Sequence, residues 1–230
     1  MKTFGQFCPL AQAAQLLCER WTLLVVRELV AGSTRFNDLQ RGVPLMSPSL
    51  LSARLKQLTA AGVVEKTGSK GKQSYQLTKA GQELAPIVKE LGAWGHRWVR
   101  TSLVVEDLDA SLLMWDMRRS VKPEAFPQHR IVLQFEYPDA SKGATDWWLV
   151  SENGEVELCL NEPGGDVDVV VRSPLANMTA VWTCQKPFED AVADGEIEVF
   201  GDKNLISSLP DWLQASGLSQ LGHQSMQNQI

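Results

Sequence analysis

Ser47-Pro48 is the most restrictive pair of residues in this chain. A serine hydroxyl caps the free N–H groups of a first helical turn. Proline at the first helical position loses nothing, because its nitrogen has no intrahelical partner there. The helix so predicted runs over residues 48–61, with Leu51, Leu55 and Leu58 on one face and Gly62 as its stop. A tight turn, Gly42-Val43-Pro44-Leu45-Met46, precedes it. Before that turn, Thr34 is expected to cap a short helix that holds Phe36 and Leu39 inward. Two helices joined by such a turn match helix-turn-helix organisation.

The outward face of the second helix limits what it can meet. At 3.6 residues per turn, Ser49, Ser52, Ala53, Lys56 and Ala60 point away from Leu51, and no acid occurs between residues 47 and 61. A helix entering the DNA major groove needs small residues for close approach, hydroxyls as donors and acceptors, and cations for phosphate. An ordinary solvated face usually mixes in Glu or Asp.

Charge separates the chain into halves. Residues 1–103 carry 14 Lys+Arg and 6 Asp+Glu, a net of +8; residues 104–230 carry 8 and 21, a net of −13. A basic module joined to an acidic one implies that the first meets a polyanion and the second does not. We therefore divide the chain into residues 1–103, residues 104–217 and a Gln-, Gly- and Ser-containing tail, 218–230, expected to be flexible.

The elements around the helix pair complete the first module. Pro9 opens a helix over residues 9–20 with Leu10, Ala13, Ala14 and Leu17 on one face. Residues 22–31 read as a buried helix around Leu23, Leu24, Val26 and Leu29, ended by Gly32 as a left-handed cap. Residues 63–67 and 73–77 read as strands, with Val64, Tyr75 and Leu77 inward. Between them, Gly68-Ser69-Lys70-Gly71-Lys72 allows a tight reversal with lysines at its tip, in reach of phosphates or of a minor groove. Thr78 caps a last helix whose stripe is Leu84, Val88, Leu91, Gly95 and Trp98, flanked by Ile87 and Trp94; Pro86 kinks it or marks where its long part starts. Two tryptophans on such a helix call for a partner helix, from a second subunit or from the C-terminal domain.

The residues of this half resemble those of the HxlR family, winged-helix regulators similar to the MarR family. The resemblance is carried by Cys8-Pro9-Leu10, Arg20-Trp21-Thr22-Leu23-Leu24, Arg27-Glu28-Leu29, Arg35-Phe36-Asn37-Asp38-Leu39, Ser47-Pro48 with Leu51-Ser52-Ala53-Arg54-Leu55, and Tyr75-Gln76-Leu77-Thr78 with Gly81. It covers roughly residues 7–98. It implies a mainly-α winged helix-turn-helix in a homodimer on a two-fold-symmetric operator in double-stranded DNA, with dimer contacts from the first and last helices. Repression is implied at the family level. Carried over by position, Arg35 touches the DNA backbone, Ser47, Ser49, Ser52 and Lys56 lie in or beside the groove, and Lys70 and Lys72 are wing contacts. Arg54 sits at the side of its helix, which leaves two roles open: a phosphate anchor or a brace of the fold.

The second half reads as α+β. Helix signals gather around Leu108, Leu112, Leu113 and Trp115. Residues 129–137 form a candidate strand with Ile131, Leu133 and Phe135 alternating, and Asn153-Gly154 turns a hairpin between residues 147–150 and 156–160. Further strands are expected at 167–172 and 196–200, with helices after Ser173-Pro174 and after Gly201-Asp202. This half resembles sterol-carrier-protein-like domains. The carrying residues are Val167-Asp168-Val169-Val170-Val171, Ser173-Pro174 with Met178, Phe188-Glu189-Asp190-Ala191, and Gly195-Glu196-Ile197-Glu198-Val199-Phe200-Gly201-Asp202 with Leu205. The resemblance implies an apolar small-molecule effector bound between a sheet and its helices. From residue type alone, Trp115, Phe135, Trp147, Trp148, Met178 and Trp182 suit an apolar cavity, though any one of them more often belongs to a plain core.

No phosphate-binding glycine loop, nucleophile elbow or metal-ligand spacing occurs, so neither catalysis nor a bound cofactor or metal is expected. The longest apolar runs are too short to span a bilayer, and no signal peptide is evident; a cytoplasmic protein with no membrane partner is expected. Cys8, before Pro9 at a helix start, is a candidate redox or electrophile sensor, or a small residue in a dimer interface. A further alternative is a lipid carrier or interaction protein whose winged helix does not bind DNA.

Overall fold

The computed structural model describes residues 4–69, 71–99, 108–213 and 215–221. It divides into two compact units, Met1–Leu91 and Gly92–Ile230.

The first unit orders its elements as α1 (Pro9–Leu17), α2 (Thr22–Val30), α3 (Phe36–Gly42), α4 (Pro48–Ala60), β1 (Val64–Thr67), β2 (Ser74–Leu77), α5 (Lys79–Gln82) and the start of α6 (Leu84–Trp98), which runs across the division. Its core gathers Val25, Val26 and Leu29 of α2, Leu39 of α3, Val43 and Met46 of the turn, and Leu51, Leu55 and Leu58 of α4. Each buried leucine contributes about 1.5–3 kcal/mol over its exposed state, so the Leu51–Leu55–Leu58 stripe is what fixes the rotation of α4. The wing strands pair antiparallel, Val64 opposite Leu77 and Thr67 opposite Ser74. Gly68 makes their reversal possible: its φ is +86°, and a Cβ there would lie 2.3 Å from the Lys72 carbonyl oxygen.

Several local expectations change. The second helix buries Val25 in place of Leu24, which is 39% exposed. The run Leu23-Leu24-Val25-Val26 is continuously apolar and carries no period from which to read a face. The first helix ends at Leu17, buries no residue, and leaves Leu10 75% exposed. Thr34 does not cap α3; Arg35 occupies that position without a side-chain cap, while the Thr34 carbonyl accepts from the Tyr75 amide at 2.8 Å. Thr78 caps α5, and α6 opens afresh at Leu84 with Pro86 in its first turn, where proline costs nothing.

The second unit holds α7 (Ala110–Ser120), a single 3-10 turn (Pro123–Ala125), β3 (Ile131–Glu136), β4 (Asp146–Glu152), β5 (Glu155–Cys159), β6 (Val169–Arg172), α8 (Leu175–Trp182), α9 (Phe188–Ala193), β7 (Glu198–Gly201) and α10 (Lys203–Trp212). The sheet order is β5-β4-β3-β6-β7. All pairs are antiparallel except β3 and β6, which run parallel with Leu133 opposite Val169. Asn153 and Gly154 both take positive φ, +53° and +78°, as a two-residue hairpin turn requires. One sheet face, with Ile131, Leu133, Phe135, Trp147, Leu149, Val156, Val169 and Val171, packs against α7, α8, α9 and α10 in a single core. At the sheet edge, Arg118 of α7 donates from Nε to the Val156 carbonyl of β5 (3.0 Å). α8 is capped by Asp139, whose carboxylate accepts from the Leu175 amide at 2.8 Å, rather than by Ser173, whose hydroxyl turns to the Pro174 carbonyl. Within the expected tail, residues 217–221 are helical and Ser219 is buried; the Ser216 amide bonds to the Trp182 carbonyl (2.9 Å), which fixes the start of this turn. Residues 222–230 lie outside the described residues. Among the described residues no helix is long and apolar enough to cross a membrane.

Candidate nucleic-acid interface

The interface is assembled from α3, the turn after it, α4 and the wing. Ser47 takes extended backbone at the cap of α4, and its hydroxyl accepts from the Leu50 amide (3.3 Å). The same oxygen lies 3.2 Å from Ser49 Oγ, so two hydroxyls pair at the helix entrance. Ser49, Ser52, Ala53, Lys56 and Ala60 are all exposed along one face, which carries no acid. This is the surface expected from the periodicity of the buried leucines.

Two groups that sequence reading did not single out hold the turn in place. Gln40 of α3 donates from Nε2 to the carbonyls of Val43 (3.2 Å) and Met46 (2.6 Å). Arg27 of α2 donates from Nη2 to the Gly42 carbonyl (2.8 Å) and to Oε1 of Glu28 (2.7 Å). Glu28 is fully buried, and the Ser33 hydroxyl approaches its other oxygen at 3.4 Å. A buried carboxylate is tolerated only with such partners. The signal was present as an acid within an otherwise apolar helix, beside an arginine.

The wing is tied to α3 at its base. Arg35 donates from Nη1 to the Gln73 carbonyl (3.3 Å), and the Tyr75 amide bonds to Thr34 as described. The Lys66 ammonium lies 5.6 Å from the Tyr75 ring centre. Arg35 and Lys72 are exposed, while Lys70 lies outside the described residues. Arg54 is engaged within the fold. Its guanidinium donates to Glu19 Oε2 (2.9 Å), to the Arg20 carbonyl (3.2 Å) and to Gln57 Oε1 (2.7 Å), and its side chain is only 11% exposed.

The remaining candidates are dispersed. Cys8 is exposed at the N-cap of α1, and Cys18 is exposed at its other end. Cys159 and Cys184 are half-buried, and burial pushes both thiols up, aided at Cys159 by Glu157. All six cavity candidates of the second unit are buried: Phe135, Trp147, Met178 and Trp182 are members of its core, and Trp115 and Trp148 are buried outside that cluster. The Trp182 indole donates to Asp116 Oδ2 (2.6 Å), whereas the Trp148 indole N–H meets no partner among the described residues. Trp148 is on the opposite sheet face from Trp147, in a row with Cys159, Gln134, Val170 and Phe200. Among the described residues no cluster of three or more His, Cys, Asp or Glu is arranged to hold a metal ion.

Residues 16–103 match the HxlR-like helix-turn-helix family. The uncharacterised HTH-type transcriptional regulator YvaP of Bacillus subtilis is 35% identical over 104 residues, which is 44% of this chain and 96% of that protein. The HTH-type transcriptional regulator YodB of the same organism is 32% identical over 95 residues, 40% of this chain and 85% of its own length. Among solved structures, the reduced form of YodB from B. subtilis is similar at 30% identity, covering 40% of this chain and 95% of that one with a TM-score of 0.35. The redox regulator HypR in its reduced form is similar at 26% identity, covering 38% of this chain and 90% of that one with a TM-score of 0.36. With a winged helix-turn-helix fold and YvaP matched over nearly its whole length, this chain is a DNA-binding transcriptional regulator and belongs to the HxlR-like helix-turn-helix family.

Proposed function

We propose that the chain acts as a homodimer on a two-fold-symmetric operator, as a repressor, with α4 in the major groove and the wing on flanking phosphates. The observation that carries this is the exposed, acid-free face of Ser49, Ser52, Ala53, Lys56 and Ala60 beside a lysine-bearing hairpin. Arg35, Ser47 and Lys72 extend that surface; Arg54 supports it from behind. Dimerisation is assigned to α1 and α6, which leave Leu10, Ile87, Leu91, Trp94 and Trp98 exposed. On α6, Ile87, Leu91, Trp94 and Trp98 recur at helical spacing and so share one apolar face that calls for a partner. In this reading the protein acts by binding and performs no catalysis.

The test is selection of bound duplexes from random DNA, followed by salt titration on the winners. Half-sites should recur about 10 base pairs apart, one helical turn. The log–log salt slope should be about −0.9 per phosphate contact. Replacing Lys56 or Lys72 by Gln should flatten it by about one contact each if both touch phosphate. Failure of the wild-type dimer to hold any duplex at low salt overturns the reading.

For regulation, the second unit is assigned as an apolar-effector module of sterol-carrier type, supported by a mixed sheet with helices packed on one face. A second input is favoured by the exposure of Cys8 at a helix start, in contrast to the half-buried Cys159 and Cys184 with their raised thiols. Thiolate is the reactive form, so mild oxidant should modify the exposed pair first. If Cys8→Ser releases operator under oxidation as the wild type does, Cys8 is not the sensor.

A further inference from the structure

Arg54 stands on α4, yet it faces away from the exposed groove surface and reaches the elbow between α1 and α2. Its donors are committed there: Nη2 to the Glu19 carboxylate (2.9 Å), Nε to the Arg20 carbonyl (3.2 Å), and Nη1 to Gln57 one turn along α4 (2.7 Å). A planar fork that meets a carboxylate and a carbonyl at once fixes direction as well as distance. The elbow itself is unusual. Trp21 sits at the start of α2 with φ of +77°, a conformation costly for a bulky side chain, while the Arg20 guanidinium lies 5.2 Å from its ring. α1, on the far side of the elbow, buries no residue and gives only the half-buried Leu16 to the core. Its direction is therefore set chiefly by the elbow.

We infer that Arg54 is a positioning residue: it clamps α4 to the α1–α2 elbow through Glu19 and the Arg20 carbonyl, so that the conformation of the elbow sets the pose of α4 against base edges. The inference rests on α4 being the helix that reads DNA. Its consequence is that a change at α1 has a short mechanical route to the groove: α1, elbow, Arg54, α4. Arg54 then governs discrimination between operator and random sequence, not general attraction to phosphate.

Two substitutions separate this from the alternatives. Glu19→Gln removes an acid from a DNA-binding unit, so simple electrostatics predicts tighter binding to every duplex. The clamp predicts the reverse for the operator: roughly tenfold weaker binding to selected duplexes, with random-duplex affinity not reduced and salt slope unchanged. Arg54→Lys keeps the positive charge and loses the fork, so a phosphate anchor would survive it and the clamp would not. The double variant should be no worse than either single, since both break one interaction. Retained random-duplex binding reports that each variant is folded. The inference is overturned if Glu19→Gln binds operator as well as or better than wild type, if Arg54→Lys is silent, or if the two losses add. Failure of the groove assignment looks different: Lys56→Gln would then leave operator binding unchanged, whatever Glu19 and Arg54 do.

Discussion

Gly42 has no room for a methyl group. A Cβ there would lie 2.0 Å from the carboxyl carbon of Glu28, a group with no exposure and no freedom to retreat. Gly42→Ala should therefore destabilise the first unit by about 2–3 kcal/mol, read as a lowered urea midpoint. Two tryptophans of the second unit form a matched pair for the same kind of measurement. Trp182→Phe loses an indole bond to a carboxylate that also pairs with Arg119, whereas Trp148→Phe deletes an N–H with no partner. The volume removed is the same, so Trp182→Phe should cost more by about 1.5 kcal/mol. Nothing in the sequence distinguishes these two side chains, because the partner is 66 residues away in one case and absent among the described residues in the other.

Helices and strands were legible where a local rule sufficed. Ser47-Pro48 and the Leu51–Leu55–Leu58 spacing located α4 and its outward face, since cap chemistry and period act within a few residues. The wing followed from Gly68 and Gly71, and the hairpin of the second unit from Asn153-Gly154. Rules that depend on distant partners were not legible. The burial of Glu28, the engagement of Arg54 with Glu19, and the capping of α8 by Asp139 across 36 residues all come from tertiary packing. α9 was not anticipated as a helix, since six residues are too few to show a period. At this scale the wing makes its own prediction. Gly68→Ala should strain the reversal by about 1–3 kcal/mol, lower the unfolding midpoint of the first unit, whose core includes Val64 and Tyr75, and weaken DNA binding in anisotropy titrations.

As a whole, the molecule joins a basic reader to an acidic second unit, a division visible in the charge count; the compact units part after Leu91, and the family match runs to residue 103. The topology of the second unit was less accessible. Its strands were recognisable one by one, yet the parallel pairing of β3 with β6 joins residues more than thirty positions apart and leaves no local trace. That sheet also sets a pH limit. Burial holds the Tyr137 phenol far above its ordinary value of 10.0, and its hydroxyl donates to Met114 Sδ (3.2 Å). The folded state keeps the proton while the unfolded chain releases it near pH 10. Stability is thus fully present below that pH and falls above it, by about 1.4 kcal/mol per unit. Urea titrations of the second unit at pH 9, 10 and 11 should show the loss, and Tyr137→Phe should remove most of it.

Arg118 gives the second unit a safeguard of a different kind. With its guanidinium seated on the Val156 carbonyl and 5.6 Å from the Trp115 ring, the outermost strand on that side has an acceptor already taken. An extended chain arriving there from a neighbouring molecule must first dislodge a cation, which disfavours growth of the sheet into fibrils from that end.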